Sequence, residues 1–381
     1  MAKHVVIVGG GVAGTIIANL LARGLKEELS KAEVVITMIS KEDKHVYQPG
    51  FLYVLFDKMR PDELIRDQRS LLAPSIIFHH DTVVNIDPKA CEVHTEKGKK
   101  IKYDYLVIAT GSRPMPELIP GLKEHGNMFY TLESAVELRE KLRKFEKGRI
   151  AIAMGVPHKC PVAPFEVTFM LDDYFNKKGI RDKVEIYYTY PIGRIHTLEP
   201  VAQWGVPEFE RRGIKYETLF NMEKVEAHNG SVAVHSAEGS TAECDLLITI
   251  PPHRGAQAIM DSGISNDGWV PTNRHSLKYE GYENVYVAGD TTNLPISKAG
   301  STAHFESDVV ADNLIAEIKE GHPAKDYDGK VMCFIETGFD KGTYIHFNYT
   351  TPPSPMPPSK MIHWLKLGYN RMYWLTARGV L

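Results

Sequence analysis

Cysteine is scarce in this chain of 381 residues: there are four, at positions 91, 160, 244 and 333, with no C-x-x-C dithiol and no pair spaced for zinc. A metal site is therefore not expected. No long uncharged apolar run occurs, which argues against a membrane-spanning helix. Neither sign of charge dominates, with 45 basic against 48 acidic side chains, so a dedicated nucleic-acid binder is not expected either. The chain enters its first strand without a basic, apolar leader. The expected location is the cytoplasm, or a peripheral position on a prokaryotic cell membrane. No internal repeat is visible beyond a partial echo, near Gly155, of the N-terminal motif described next.

That motif is strong. Lys3 to Gly14 reads K-H-V-V-I-V-G-G-G-V-A-G, a buried strand followed by G-x-G-x-x-G at Gly9, Gly11 and Gly14 and then a helix through Leu21. The glycines permit a tight turn, close backbone approach to a pyrophosphate and close helix packing. A second strand, Glu33 to Ile39, follows at the spacing of a βαβ unit. The acidic residue that binds a ribose hydroxyl in such units is missing; Ser40 stands there, leaving Ser40 and its backbone, Glu42 or Asp43 for that role.

A second nucleotide turn is incomplete. Ile150 to Met154 reads as another strand, but after Gly155 come Pro157, Cys160, Pro161 and Pro164. Prolines remove the N–H donors that a phosphate needs, so the nicotinamide slot is expected to be degraded and given over to thiol chemistry. Two further segments, Y-D-Y-L-V-I-A-T-G ending at Gly111 and N-V-Y-V-A-G-D ending at Asp290, resemble those that close over FAD in flavoprotein reductases with two dinucleotide-binding domains.

Alternating strands and helices, 43% hydrophobic content and a length beyond one comfortable core predict an α/β architecture of two Rossmann-like domains. The expected division is residues 1–111 with 253–335 for FAD, 112–252 for the second domain, and 336–381 as a C-terminal region. Thr131 to Lys147 is expected to form a helix opened by T-L-E-S, with its charges in solvent. Thr350 to Pro358 holds five prolines and predicts a stiff connector. Beyond it an amphipathic helix is expected, with Met361, Ile362, Trp364, Leu365, Tyr369, Met372, Tyr373 and Leu375 on one side. Lys360, His363, Lys366, Asn370, Arg371 and Arg378 fall on the other. No acidic residue follows Asp340, a composition suited to a membrane surface; docking on the protein or on a second subunit is the alternative.

Cys91 is expected in a hairpin-like strand and Cys244 just before a buried one, and both read as structural residues. Cys160 precedes a helix, a position that biases a thiol toward thiolate, and Cys333 sits in V-M-C-F-I-E-T-G. In this order, G-G-G-V-A-G, Y-L-V-I-A-T-G, C-P-V-A-P-F-E, V-A-G-D and C-F-I-E-T-G, followed by a basic aromatic tail, resemble the sulfide:quinone oxidoreductases, relatives of the flavocytochrome c sulfide dehydrogenases.

The resemblance implies an enzyme that binds FAD, oxidises sulfide and reduces quinone at a membrane surface. It implies a redox pair of Cys160 and Cys333 carrying bridging sulfur, with Glu166 as acid/base residue and His196 nearby. Cofactor contacts are expected from Gly9, Gly11, Val12, Ala13, Gly14, Ser40, Lys41, Ala109, Thr110, Gly111, Gly289, Asp290 and Lys298. Tyr344, Phe347, Tyr349 and Trp364 are candidates to line the quinone site, Lys366 to polarise a quinone carbonyl, and His304 to approach the flavin. Many members carry a third cysteine where this chain has Tyr130, which questions any mechanism needing three. A type II NADH dehydrogenase, a flavocytochrome-type dehydrogenase and a flavin-binding redox sensor are the competing readings. A homo-oligomer is expected on general grounds.

Overall fold

The computed structural model describes residues 2–380. The chain begins β1 (Lys3–Val8), α1 (Val12–Gly24), β2 (Val34–Ser40), β3 (Ile77–His80) and β4 (Tyr105–Ile108). It continues through α2 (Leu132–Lys144), β5 (Gly148–Met154), α3 (Ala163–Lys178), β6 (Val184–Tyr190), β7 (Lys215–Thr218) and β8 (Leu246–Ile250). The last elements are β9 (Val285–Val287), α4 (Gly300–Glu320), β10 (Val331–Glu336), β11 (Gly342–Phe347) and α5 (Lys360–Ala377).

Two parallel sheets organise these elements. The first has strand order β9-β4-β1-β2-β3 and the second β7-β6-β5-β8. Val5, Val6 and Ile7 of β1, and Ile150 to Ala153 of β5, are fully buried, the continuous apolar signature of strands covered on both faces. The fold is thus the expected α/β type. β9 returns to the first sheet beside β4, in register Val285 with Leu106. The two passages between the sheets run side by side, Ser112–Pro114 paired antiparallel with His253–Gly255.

Local chemistry sets the helix ends. Thr131 caps α2 by accepting from the Ser134 N–H at 3.1 Å, and Ser134 returns a bond to the Thr131 N–H. Ser359 caps α5 in the same way, accepting from the Ile362 N–H at 3.2 Å. The proline connector between β11 and α5 forms no helix and no extended strand.

α5 differs from the sequence expectation in the face it turns inward. Ile362, Lys366, Asn370, Tyr373, Thr376 and Ala377 are buried, so Lys366 and Asn370 of the expected polar side share the inner strip with Ile362 and Tyr373 of the apolar side. Met361, Trp364, Leu365, Met372 and Leu375 face outward, with Trp364 67% exposed. The protein supplies partners that the sequence does not reveal: Tyr47 donates its hydroxyl to Asn370 Oδ1 at 2.6 Å, and Glu166 pairs with Lys366. No helix among the described residues is long and apolar enough to cross a membrane.

Backbone-to-backbone contact at the first glycine turn is tight. A Cβ on Gly14 would fall 2.0 Å from the Gly9 carbonyl oxygen, and backbone cannot move aside as a side chain can. Gly14→Ala is expected to lower stability by about 1–3 kcal/mol, read as an earlier midpoint in urea unfolding.

Candidate active site

Three glycines divide the work at the end of β1. Gly9 has φ +111°, and a Cβ there would meet the Ala109 carbonyl oxygen at 2.3 Å. Gly11, by contrast, has nothing within 4 Å of its Cβ position, and α1 starts immediately after it. Open space in front of a helix N-terminus, with unpaired N–H donors, suits a pyrophosphate. FAD therefore fits this end of the first sheet, held by Gly9 to Gly14 with Val12 and Ala13 in the first helical turn. Ser40 is 8% exposed and donates its hydroxyl to the Glu42 carbonyl at 2.9 Å, leaving only its lone pairs for a ribose. Lys41 follows it, exposed.

Beneath this turn lies a polar cluster with no sequence signal. His45 Nδ1 is 3.0 Å from the Gly10 carbonyl oxygen and 3.1 Å from Gln68 Oε1, and Gln68 donates to Thr15 at 2.9 Å. His45 Nε2 reaches the Tyr373 hydroxyl of α5 at 2.5 Å. The C-terminal helix is thereby tied to the glycine turn.

The two closing segments meet. Thr110 donates to Thr291 at 3.0 Å, and Ser112 donates to Asp290 Oδ2 at 3.1 Å. Gly111 adopts φ +67° with open space around its Cβ position. Lys159, from the turn after β5, lies 3.4 Å from Asp290, so the second sheet contributes a cation to the first sheet's turn. Burial opposes the Asp290 carboxylate, but Lys159 and Lys298 outweigh it and hold its pKa below the ordinary value. Burial lowers Lys298. The Gly289 N–H donates to Glu306, a residue without sequence signal, whose carboxyl burial pushes up to about 8.

The turn after β5 keeps one glycine, Gly155, and continues through Pro157, Pro161 and Pro164. A Cβ on Gly155 would meet the Pro252 ring at 2.5 Å, close packing of the kind Gly9 makes with Ala109, and the place that Gly11 holds two residues on in the first turn is taken here by Pro157. Cys160 follows, half-buried with φ +52°. Its expected bias toward thiolate is not found: burial, then the charge of Glu166, push the thiol up to about 11. The N–H groups at the start of α3 act in the opposite direction but are outweighed. Burial and then Cys160 push Cys333 up to about 12. Both are free thiols packed in one apolar cluster; the charge of Lys159 acts on Cys160, and that of Lys366 on both sulfurs. Cys91, expected in a strand, instead closes a turn at φ +54°, and Cys244 is buried.

Glu166 is 8% exposed and accepts from the Glu336 N–H at 2.8 Å while pairing with Lys366. Burial raises Glu166 against the pull of Lys366. For Lys366, burial favours the neutral amine, but Glu166 and Glu336 overcome it and raise its pKa, so the lysine keeps its proton. His196 is fully buried against Phe165, accepts from the Leu198 N–H at 3.0 Å, and is driven down to about 3 by burial. It is a neutral hydrogen-bonding group, too weak a base to hold a proton from hydrosulfide at neutral pH. Tyr130 is 9% exposed, packs edge-on against His253 and aims its hydroxyl at the Lys159 carbonyl, so it braces the Cys160 turn.

The aromatic candidates do not converge. Tyr344 joins Phe334, and Phe334 joins Tyr369, in a half-buried aromatic group beside Cys333 on the β10–β11 hairpin. Phe347 lies at the other end of that hairpin, opposite Val331, and Trp364 faces outward. Tyr349 packs on Arg274, 3.8 Å from its ring centroid. Lys366 is enclosed with Glu166 rather than lying on the exposed polar face. His304 stacks on Phe305 in α4, half-buried. A cavity of about 490 Å³ opens between residues 47–66 and α5, lined by Tyr53, Glu336 and His363 among others. No cluster of potential metal ligands occurs among the described residues.

Comparison with known proteins places this arrangement. Residues 3–155 match the pyridine nucleotide-disulphide oxidoreductase family model. The chain is 36% identical over 304 residues to a demethylphylloquinone reductase of Synechocystis, covering 75% of this chain and 71% of that protein. It is 28% identical over 358 residues to the mitochondrial sulfide:quinone oxidoreductase of Dictyostelium discoideum, covering 91% and 77%. The crystal structure of the Aquifex aeolicus sulfide:quinone oxidoreductase superposes with a TM-score of 0.87 at 24% identity, covering 99% and 92%, a likeness of fold. The chain belongs to the pyridine nucleotide-disulphide oxidoreductases, FAD-binding flavoprotein oxidoreductases, in the group that includes the sulfide:quinone oxidoreductases.

Proposed function

We propose that this protein oxidises sulfide to sulfane sulfur at Cys160 and Cys333 and passes the electrons to a membrane quinone. The observation that carries the reading is the exchange of one site for another. Where a nicotinamide turn would continue past Gly155, Pro157, Pro161 and Pro164 replace its glycines and N–H donors, and the same stretch brings Cys160 into the apolar cluster of Cys333. That exchange disfavours a nicotinamide-oxidising enzyme. Relatives named for sulfide and quinone, matched over most of their length, supply the substrate classes. The division into residues 1–111 with 253–335, 112–252 and 336–381 belongs to the same proposal.

The residues suggest how the steps are shared. In the oxidised enzyme a sulfur bridge joins Cys160 and Cys333. Hydrosulfide attacks it, one S–S bond forms as another breaks, and one cysteine leaves as a thiolate while its partner carries the added sulfur. Lys159 and Lys366 lie within electrostatic reach of the sulfurs and stabilise whichever becomes the anion. Glu166, shielded from water and paired with Lys366, takes the hydrosulfide proton. FAD, when bound, supplies the two-electron relay between sulfur and quinone. The quinone takes two electrons and two protons, near the aromatic group of Phe334, Tyr344 and Tyr369. The outward face of α5, with Trp364 and Leu365 exposed beside Lys360 and Arg371, meets the lipid surface.

The decisive experiment is an anaerobic flavin spectrum. Sulfide is expected to bleach the purified holoprotein and a soluble quinone analogue to restore it; bleaching by NADH alone would replace this reading with a nicotinamide dehydrogenase. Cys160→Ser and Cys333→Ser are each expected to slow sulfide-driven bleaching by at least about a thousandfold with FAD retained. A normal rate in either variant removes the pair.

The thiol environment has its own signature. With Cys160 lifted to about 11, its alkylation by iodoacetamide is expected to climb about tenfold per pH unit through pH 10, without a plateau near 8.5. Mass spectrometry of the modified peptide reads this. For the tail, Trp364→Ser combined with Leu365→Ser is expected to weaken flotation with anionic vesicles by about tenfold or more, with soluble-quinone turnover unchanged. Unchanged flotation overturns the membrane contact, and a changed oligomeric state assigns the face to a second subunit.

A further inference from the structure

The cavity of about 490 Å³ beside α5 holds more positive charge than its carboxylates answer. Lys58, Arg66 and Arg371 line it, all three exposed, and none forms an ion pair among the described residues. Two of them are held by aromatic rings instead, Lys58 over Phe339 at 4.4 Å and Arg66 over Trp374 at 4.9 Å. The two carboxylates in the lining are engaged elsewhere. Glu63 accepts the Arg60 N–H at 2.8 Å and lies 3.8 Å from the Arg60 guanidinium. Glu336 accepts the Tyr53 hydroxyl at 2.5 Å and lies 2.9 Å from His363 Nδ1.

A buried donor marks the same place. Asn370 lines the cavity at 5% exposure; its Oδ1 accepts the Tyr47 hydroxyl, and its Nδ2 has no partner among the described residues. An orphaned amide donor is costly, and an anionic oxygen is a strong acceptor for it. Much of the remaining wall is apolar, from Met59, Leu64, Phe339, Leu367 and Trp374. Bare phosphate would match the cations and leave that wall uncovered, whereas a cavity of this size takes an organic molecule. The occupant is therefore anionic at one end and apolar at the other. α5 gives the direction of the apolar end. Leu367 lies one turn after Trp364, and Leu375 one turn after Arg371, so the cavity rim continues at helical spacing onto the outward face. Trp364 is 67% and Leu375 45% exposed there.

We propose that this cavity binds the anionic head of a membrane phospholipid, with its phosphate among Lys58, Arg66 and Arg371 and its chains running over the outward face of α5. This rests on the membrane contact read above for that face. A basic surface alone attracts any anionic bilayer without counting molecules. A walled site with a buried donor takes one lipid per chain, and that lipid bridges α5 and the 53–66 segment, fixing how the molecule sits on the bilayer.

The test is calorimetric titration of full-length, FAD-loaded protein with dihexanoyl phosphatidylglycerol below its micelle-forming concentration. Dihexanoyl phosphatidylcholine and inorganic phosphate alone are titrated in parallel. The site predicts saturable binding of the anionic lipid, one per chain and at least about tenfold tighter than either comparison. Lys58→Gln combined with Arg66→Gln is expected to weaken it by on the order of tenfold or more. So is Asn370→Asp, which keeps the oxygen that Tyr47 bonds and removes the free donor. Should the double variant lose FAD, Arg371→Gln takes its place in the same titration. Trp364→Ser with Leu365→Ser is expected to lose flotation with phosphatidylglycerol vesicles yet still bind the short-chain lipid at one per chain. Wild-type affinity in both the double variant and Asn370→Asp overturns the site. Equal binding of phosphatidylcholine overturns it by removing the role of charge, and phosphate binding as tightly as the lipid overturns it by assigning the cations to a free anion. Protein that floats on phosphatidylglycerol vesicles without saturable short-chain binding loses the site alone. Wild type that fails to float on those vesicles overturns the membrane contact and, with it, the lipid as occupant.

Discussion

The buried pairing of Glu166 with Lys366 is the constraint on which the rest of the arrangement depends. Glu166 stands on the first turns of the helix after Cys160, and Lys366 on the C-terminal helix, so the pair joins the second sheet's layer to the end of the chain. Two buried charges must meet; leaving either one alone costs about 3–5 kcal/mol. That requirement fixes the rotation of the C-terminal helix. Once Lys366 points inward, Asn370 and Tyr373 follow at helical spacing, each finding a partner in Tyr47 and His45. Met361, Trp364, Leu365 and Met372 are then forced outward. An apolar outer surface is thus the consequence of a polar inner contact.

The same enclosure governs the thiols. A helix N-terminus stabilises a nearby anion by roughly 0.3–1 kcal/mol, and here Pro161 stands just before the helix and Pro164 in its first turn. Loss of hydration around Cys160 and Cys333 is the larger effect, and the Glu166 carboxylate adds to it. The two sulfurs rest as thiols, and Lys159 and Lys366 are the charges positioned to favour an anion when one forms. Lys159 also approaches Asp290, which couples the Cys160 turn to the turn that closes the flavin site.

Much of this was legible in the residues. The glycine turn at Gly9, Gly11 and Gly14 could be read because its geometry is local: a positive φ, a backbone contact and a helix start all fall within six residues. The incompleteness of the second turn was legible for the same reason, since Pro157, Pro161 and Pro164 follow closely on Gly155. His45, Gln68, Lys159, Glu306, Glu336 and His363 were missed as site residues. None carries a local pattern; each matters through a partner brought by another element.

The sequence by itself determined the α/β architecture, the dinucleotide site at the N-terminus, the incomplete glycine pattern of the second turn and the amphipathic composition of the tail, since these follow from periodicity, glycine geometry and missing donors within short windows. Tertiary structure alone decided which face of the tail turns inward, the protonation of Cys160, the neutrality of His196 and the pairing of Glu166 with Lys366. Burial and Coulomb partners set those properties, and both depend on distances in space that spacing along the chain does not encode.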